Sequence, residues 1–272
     1  MRVARVFARQ TSMCPTDKGT YFDDPDLFTP EYDEIWISVT FTWDIERGYK
    51  LKKSWERYCK KVCIGGPAFD DPGNSFVAGQ FLKKGITVTS RGCRNNCSFC
   101  LVPKREGNIR ELPIIEGNII QDNNLLACSK SHINKVFSML SKQRGIEFVG
   151  GIDCTLLDYW HIEAMRGLRI RKIWLALDHN VFMVPFQEAC TRLREAGFSR
   201  DKIRCYVLAG YNEPIQTSEG RLRFAYDCGA LPYIQAYQPV SNNKRMAGER
   251  SREDNLFVKN WSRPAIYKSF FK

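Results

Sequence analysis

The sequence has few histidines and lacks long apolar runs. Only three of its 272 residues are histidine (His132, His161 and His179), so nitrogen ligands for a zinc ion are scarce. No stretch of about 18 apolar residues is present, and the N-terminus lacks the apolar core of a secretion signal. We therefore expect a cytoplasmic protein that does not cross a membrane.

Disulfides are not expected either, although the chain contains 11 cysteines. Disulfide frameworks are typical of small secreted chains, and this chain is neither small nor marked for export. Most of the scattered cysteines lie in apolar segments, which predicts that they are buried as small hydrophobic residues. These are Cys14, Cys59, Cys63, Cys128, Cys154, Cys190, Cys205 and Cys228.

The net charge of +11 at pH 7 gives the protein a positive field. Such a field attracts polyanions, of which nucleic acid is the usual one. Lys and Arg side chains on solvated helix faces explain the charge equally well. No recognised nucleic-acid module is visible, so both interpretations stay open.

A compact cysteine run, Cys93, Cys97 and Cys100, follows the strand-like segment Gly85–Ser90. Iron–sulfur clusters are held by Cys thiolates, usually four. Three local thiolates leave one iron open to a substrate or cofactor, which indicates a reactive site.

A zinc site would need a fourth ligand and usually a second cysteine pair, which is absent here. Three unligated core cysteines are disfavoured because polar residues flank the run: Arg91, Arg94, Asn95 and Asn96.

The spacing Cys-x3-Cys-x2-Cys, with Phe99 before the last cysteine, resembles the signature of the radical S-adenosylmethionine (SAM) superfamily. The longer run from Ser90 to Gly107 resembles the cluster loop of its methylthiotransferase-like and cobalamin-dependent branches. The resemblance implies a 4Fe–4S cluster on the three cysteines, with SAM chelating the fourth iron. It also implies an external electron donor of the flavodoxin or ferredoxin type. Cleavage of SAM would then give a 5′-deoxyadenosyl radical that abstracts hydrogen from a substrate.

Residues 85–240 alternate short apolar runs with helical patterns, which predicts β/α units on a parallel sheet. The resemblance implies that six such units form a partial (β/α)6 barrel of the TIM type. Barrels of this kind gather their active sites at the carboxyl ends of the strands, where the cysteine run would lie. The expected strands are Ile86–Ser90, Asn118–Gln121, Ile146–Gly150, Lys172–Leu177, Ile203–Ala209 and Tyr233–Tyr237. The expected helices are Ser131–Lys142, Leu157–Gly167, Phe186–Ala196 and Ser218–Cys228.

The pattern of expected strands and one helix in residues 1–84 predicts a small Rossmann-like α/β domain. Its expected strands are Val3–Ala8, Glu34–Thr40 and Val62–Gly65, with a basic amphipathic helix at Arg47–Lys60. It resembles a truncated form of the cobalamin-binding domain that precedes many radical SAM enzymes. The Asp-x-His-x-x-Gly motif of some relatives is absent, and none of the histidines lies in this domain. We therefore expect a degenerate scaffold, for which cobalamin is possible but not favoured.

Residues 241–272 combine basic and aromatic side chains. Aromatic rings and cations together suit a single-stranded nucleic acid. The favoured alternative is a terminal segment that packs its aromatic rings over the open edge of the barrel.

The resemblance assigns six residues to SAM. Asp122 and Asn124 follow the second strand, where an acidic and amide motif would hold the methionine amino group; an ordinary helix N-cap is the alternative. Phe99, Val207 and Gly210 would lie near the adenine and Asp178 near the ribose.

Catalytic residues are not determined by the sequence. His179 follows a predicted strand and is a weak candidate for a proton donor or substrate contact, although a lone histidine is more often structural. Cys14 is a second weak candidate, for a hydrogen donor or methyl acceptor. The expected function is a radical SAM enzyme acting on a nucleotide or nucleic acid, with a peptide or small metabolite as the alternative substrate. The rival hypothesis is a non-catalytic iron–sulfur or zinc protein that binds nucleic acid.

Overall fold

A computed structural model describes residues 1–69, 76–238 and 250–271, together with the backbone of 240–241 and 244–245. The chain divides into two compact units. The first comprises Met1–Ile86 and the described residues between 238 and 248; the second comprises Thr87–Tyr237 and the described residues from 250 to 271. The division falls two positions after the domain boundary expected at residue 84.

The strands, in chain order, are β1 (Val3–Phe7), β2 (Thr20–Tyr21), β3 (Glu34–Ser38), β4 (Val62–Gly65), β5 (Ile86–Thr87), β6 (Ser90–Arg91), β7 (Arg110–Glu111), β8 (Ile119–Ile120), β9 (Ile146–Ile152), β10 (Ile170–Ala176), β11 (Ile203–Ala209), β12 (Leu231–Ala236), β13 (Val240–Ser241) and β14 (Lys244–Arg245). The α-helices are α1 (Ile45–Glu56), α2 (Val102–Glu106), α3 (Lys130–Ser141), α4 (Tyr159–Arg166), α5 (Met183–Glu195), α6 (Glu219–Asp227), α7 (Arg252–Trp261) and α8 (Pro264–Tyr267).

The first unit is built on a parallel sheet in the order β2-β1-β3-β4. Helix α1 buries Leu51 and Trp55 in the same core as Ile35 and Ile37 of β3. Gly48 permits the close approach of the helix, because a Cβ there would lie 2.6 Å from Val39 Cγ2. Helix α1 begins and ends earlier than the helix expected over 47–60, and β2 was not expected.

The main sheet has six strands in the order β5-β8-β9-β10-β11-β12, so each strand lies beside its predecessor among these six. Strands β8 to β12 belong to the second unit, and β5 lies at the division between the units. The pairs from β8 to β12 are parallel. Side chains alternate between two environments along the strands. In β11, Ile203, Cys205 and Val207 are buried, whereas Tyr206 and Leu208 are half-buried on the other face. The expected α/β class with parallel sheets is confirmed.

The sheet elements differ from expectation at the cysteine run. The expected strand Ile86–Ser90 is divided, because β5 ends at Thr87 and Ser90 begins β6. Strand β6 pairs in antiparallel fashion with β7. The chain therefore leaves the main sheet before the first cysteine and returns through a short two-stranded ribbon.

The C-terminal helices belong to the second unit. Helix α7 packs against β12, the last strand of the sheet. Trp261 and Tyr267 are almost fully buried in the same apolar core as the strands, and their rings stack with centroids 5.5 Å apart. These rings are thus enclosed and cannot stack on bases, which favours the packing interpretation. Residues 242–243, 246–249 and 272 of this segment lie outside the described residues.

Within the described part of the chain, no helix has both the length and the apolar character needed to span a membrane.

Candidate functional site

The cysteine loop is closed at its base by backbone contacts. Cys93 N donates to Gly107 O at 3.1 Å, next to the β6–β7 pair. Gly92 has φ +84°, and a Cβ there would lie 2.2 Å from Asn108 O, so this position requires glycine. The loop that carries the cysteines is therefore held in place by the protein itself.

The three predicted ligands Cys93, Cys97 and Cys100 are free, partly exposed and line one cavity of about 340 Å³. Burial, followed by the neighbouring thiols, raises the pKa of Cys97. Burial also raises the pKa of Cys100. A bound metal reverses such shifts, because coordination deprotonates a thiol.

Three cysteine sulfurs that line one cavity are compatible with a cluster. Among the residues that the structure describes, no group of three or more His, Cys, Asp or Glu side chains is arranged around one metal ion. In a 4Fe–4S cluster each cysteine binds a different iron, so the three sulfurs need to surround a shared space rather than one point. Cys154 lines the same cavity, and burial raises its pKa to about 12.

Asp122 anchors the start of the loop. Its buried carboxylate accepts hydrogen bonds from Thr89 N (2.6 Å), Thr89 Oγ1 (2.5 Å) and Ser90 Oγ (2.8 Å). Burial raises the pKa of Asp122 even though these hydrogen bonds oppose the shift. The backbone at Asp122 also touches β9, since a Cβ on Gly150 would lie 1.8 Å from Asp122 O. Asp122 thus lines the cysteine cavity, but its carboxylate already has three protein donors.

A second carboxylate organises the loop through two amides. Asp153, just beyond β9, accepts from Asn95 Nδ2 at 2.8 Å and from Asn124 Nδ2 at 3.1 Å. It also accepts from the backbone and side chain of Thr155. Burial alone would raise the pKa of Asp153, but the hydrogen bonds outweigh it and lower the pKa. Asp153 is therefore an anion that ties the cysteine loop to the end of β9.

A larger cavity of about 630 Å³ adjoins the first and shares Cys97, Phe99 and Asp178 with it. Phe99 meets Tyr211 edge-on, with ring centroids 5.7 Å apart. Arg221 is 4% exposed, pairs with Glu213 and donates from Nη2 to Leu208 O at 2.9 Å. The cavity thus has an aromatic side and a polar side.

Asp178 lies at the junction of the two cavities. Its Oδ1 accepts from Leu208 N at 2.9 Å. Burial raises the pKa of Asp178 to about 6, with Leu208 N and Arg221 opposing the shift. This carboxyl group therefore changes its protonation state just below neutral pH.

The structure brings some of the other candidates to the site and leaves others away from it. Val207 is fully buried in the core, whereas Leu208, the next residue, lines the larger cavity. Gly210 makes the turn after β11, with φ +81°. His179 lines the larger cavity at an exposed position, and its Nδ1 accepts from Val181 N at 3.2 Å.

Cys14 lies in the first unit. It is buried and contacts Thr11 Oγ1 at 3.3 Å and Arg9 O at 3.7 Å. Both contacts are local in the chain, and a catalytic role for Cys14 stays a prediction.

Sequence reasoning missed Asn95, Tyr211 and Arg221 as cavity residues. Asn95 was visible as a polar residue inside the cysteine run. Nothing in the sequence marked Arg221 as a cavity residue, because it lies within a helical pattern rich in charged residues. Its burial depends on the tertiary structure.

No protein-family model and no curated protein matches this sequence. A solved structure is nevertheless similar: the radical SAM methyltransferase TsrM from Kitasatospora setae, with cobalamin and a 4Fe–4S cluster bound. The TM-score is 0.63, and the match covers 87% of this chain and 75% of that one at 10% identity. At this identity the comparison establishes a shared fold and no more.

Proposed function

We propose that this protein is a radical SAM enzyme that binds a 4Fe–4S cluster through Cys93, Cys97 and Cys100. The observation that carries the proposal is that these three sulfur ligands line one cavity on a fold similar to that of a radical SAM methyltransferase. The cavity lies where β8, β9 and β10 end, which is where parallel α/β folds place their ligands.

The two adjoining cavities suit a ligand with distinct parts. SAM would place its methionine portion beside Asn124 and the cysteines, and its adenosine portion beside Phe99, Asp178 and Leu208. The buried Asn124 Oδ1 has no partner among the described residues and is free to accept from an amino group. When bound and reduced, the cluster supplies the electron that cleaves the sulfonium of SAM. An external donor of the flavodoxin or ferredoxin type would deliver that electron.

The sequential strand order of the second unit supports the partial (β/α)6 barrel. A doubly wound sheet, by contrast, reverses its order at a switch point. The parallel sheet of the first unit is compatible with a Rossmann-like domain.

Because the similar enzyme contains cobalamin, that cofactor is a candidate for this chain, although residues 1–84 contain no histidine for an axial ligand. A cobalamin absorption spectrum of the protein purified from a cobalamin-supplied host tests this point.

For the substrate we propose a nucleotide or nucleic acid, supported by the net charge of +11. A peptide or a small metabolite is the alternative.

The test uses the full chain, reconstituted anaerobically with iron and sulfide, reduced with dithionite and given SAM. We expect iron and sulfide at about four each per chain and formation of 5′-deoxyadenosine. Because the similar solved enzyme is a methyltransferase, S-adenosylhomocysteine is followed as well. The Cys97→Ala variant should lose both products, whereas Cys63→Ala, at an exposed cysteine of the first unit, should retain them. A full cluster with no SAM-derived product would favour the rival, a non-catalytic iron–sulfur protein, and zinc in place of iron would refute the proposal.

A further inference from the structure

One cysteine of the loop receives two N–H groups at its sulfur. Asn95 N lies 3.4 Å from Cys93 Sγ, and Asn124 Nδ2 lies 3.6 Å from the same atom. Both distances are within the range of N–H···S hydrogen bonds. The second donor is remote in sequence, since Asn124 follows β8, and it is only 3% exposed.

The orientation of the Asn124 amide is fixed by Asp153. The amide nitrogen donates to Asp153 Oδ2 at 3.1 Å as well as to Cys93 Sγ. A flipped amide would turn its oxygen toward a carboxylate whose lowered pKa keeps it anionic, and would repel it. The nitrogen must therefore face the sulfur.

We infer that Asn124 is a positioning residue that raises the reduction potential of the cluster bound at Cys93, with Asp153 holding its N–H toward the sulfur. This inference rests on the proposed function. Hydrogen bonds to cluster sulfurs stabilise the reduced form, which carries one more negative charge, and so raise the potential. Asn95 contributes a backbone donor that only proline would remove, whereas the Asn124 donor is a side chain that substitution can change.

The test compares Asn124→Leu with the wild type after anaerobic reconstitution. Leucine has a similar size but no donor, and Asp153 keeps its bonds to Asn95 and Thr155. At a fixed potential, monitored by electron paramagnetic resonance, we expect the ratio of reduced to oxidised cluster to fall about tenfold, equivalent to a potential lower by about 59 mV for a one-electron couple. The matched control is Asn118→Leu, which removes an amide that bonds Arg144 O and Gly145 O beyond the opposite end of β8. The control should keep the wild-type potential.

A second measurement does not require a stable variant. Wild-type protein labelled with ¹⁵N in the asparagine side chains should show a ¹⁵N coupling to the reduced cluster in electron–nuclear double resonance. No such coupling in the wild type, or an unchanged potential in Asn124→Leu with a full cluster, would overturn the inference and leave the proposed function intact. A wild-type chain that binds no cluster would instead refute the proposed function.

Discussion

Gly150 and Asp122 show how a single position can set the geometry of the site. Strand β9 continues past the end of β8, and the backbone at Gly150 within β9 approaches Asp122 O so closely that any Cβ would overlap with it. Asp122 in turn holds Thr89 and Ser90 at the start of the cysteine loop. The sequence predicted polar residues after the second strand but not that Asp122 would turn its carboxylate toward Thr89. That orientation depends on the distance between two strands, which no local pattern encodes.

Gly150→Ala should destabilise the protein by about 3 kcal/mol or more, because the added methyl group would lie 1.8 Å from a backbone oxygen that cannot move freely. Urea unfolding measures the loss. The control is Gly220→Ala in α6, where a Cβ meets nothing within 4 Å and should be neutral or stabilising by about 0.5–1 kcal/mol. Equal stabilities for the two variants would contradict the close strand contact.

Asp178→Asn should stabilise the protein more at about pH 8 than at about pH 5. The pKa of Asp178 is raised to about 6 in the folded state and is about 3.9 in an unfolded chain, so ionisation of this carboxyl group costs stability as pH rises through that window. Asparagine removes the charge and can still accept from Leu208 N. The gain between the two pH values should be about 1 kcal/mol, measured by urea unfolding at each. A gain independent of pH would show that the pKa is not raised.

At the scale of the elements, periodicity predicted most of the fold. The long strands β9, β10 and β11 and the helices α3 to α6 were expected from alternation and helical spacing, and their ends differ by only a few residues. The exceptions are helices α2, α7 and α8, which were not expected, and several two-residue strands. Strands β2, β6 and β7 contain too few residues to show a pattern, and β6 exists only because β7 pairs with it.

Trp261→Ala should test the role of α7 in covering β12. Trp261 is 1% exposed within the main core, so its truncation should cost about 3–5 kcal/mol. Leu256→Ala on the same helix removes a side chain that is 54% exposed and should change stability by about 0.5 kcal/mol or less. Thermal or urea unfolding distinguishes the two. A small effect at Trp261 would mean that α7 is not part of the folded core.

At the scale of the whole molecule, the net charge can be counted directly from the sequence, but its role cannot be read from the same count. The value of +11 follows from counting residues, but a count does not say which surface uses it. Arg221, for example, is 4% exposed and pairs with Glu213, so its positive charge is balanced by a neighbouring carboxylate. Trp261 and Tyr267 of the C-terminal segment likewise looked available in the sequence and are enclosed in the structure, whereas Phe270 is 39% exposed.

If the positive field binds nucleic acid, affinity for a single-stranded RNA should fall at least about tenfold between roughly 50 and 200 mM salt. Fluorescence anisotropy with a labelled oligonucleotide provides the measurement, and an uncharged peptide nucleic acid of the same sequence is the control. Binding that is absent at the lower salt concentration would remove the support that charge gives to a nucleic-acid substrate.

Protein hydrogen bonds hold the base of the cysteine loop: Asp122 accepts from Thr89 and Ser90, and Cys93 N donates to Gly107 O. A zinc finger, by comparison, is unfolded until its ion arrives. These contacts at the base of the cysteine loop involve no cysteine sulfur, so we expect removal of iron to leave them in place. An iron-depleted sample should then keep its circular dichroism spectrum. Assembly of the cluster would depend on the supply of iron and sulfide and not on folding of the loop.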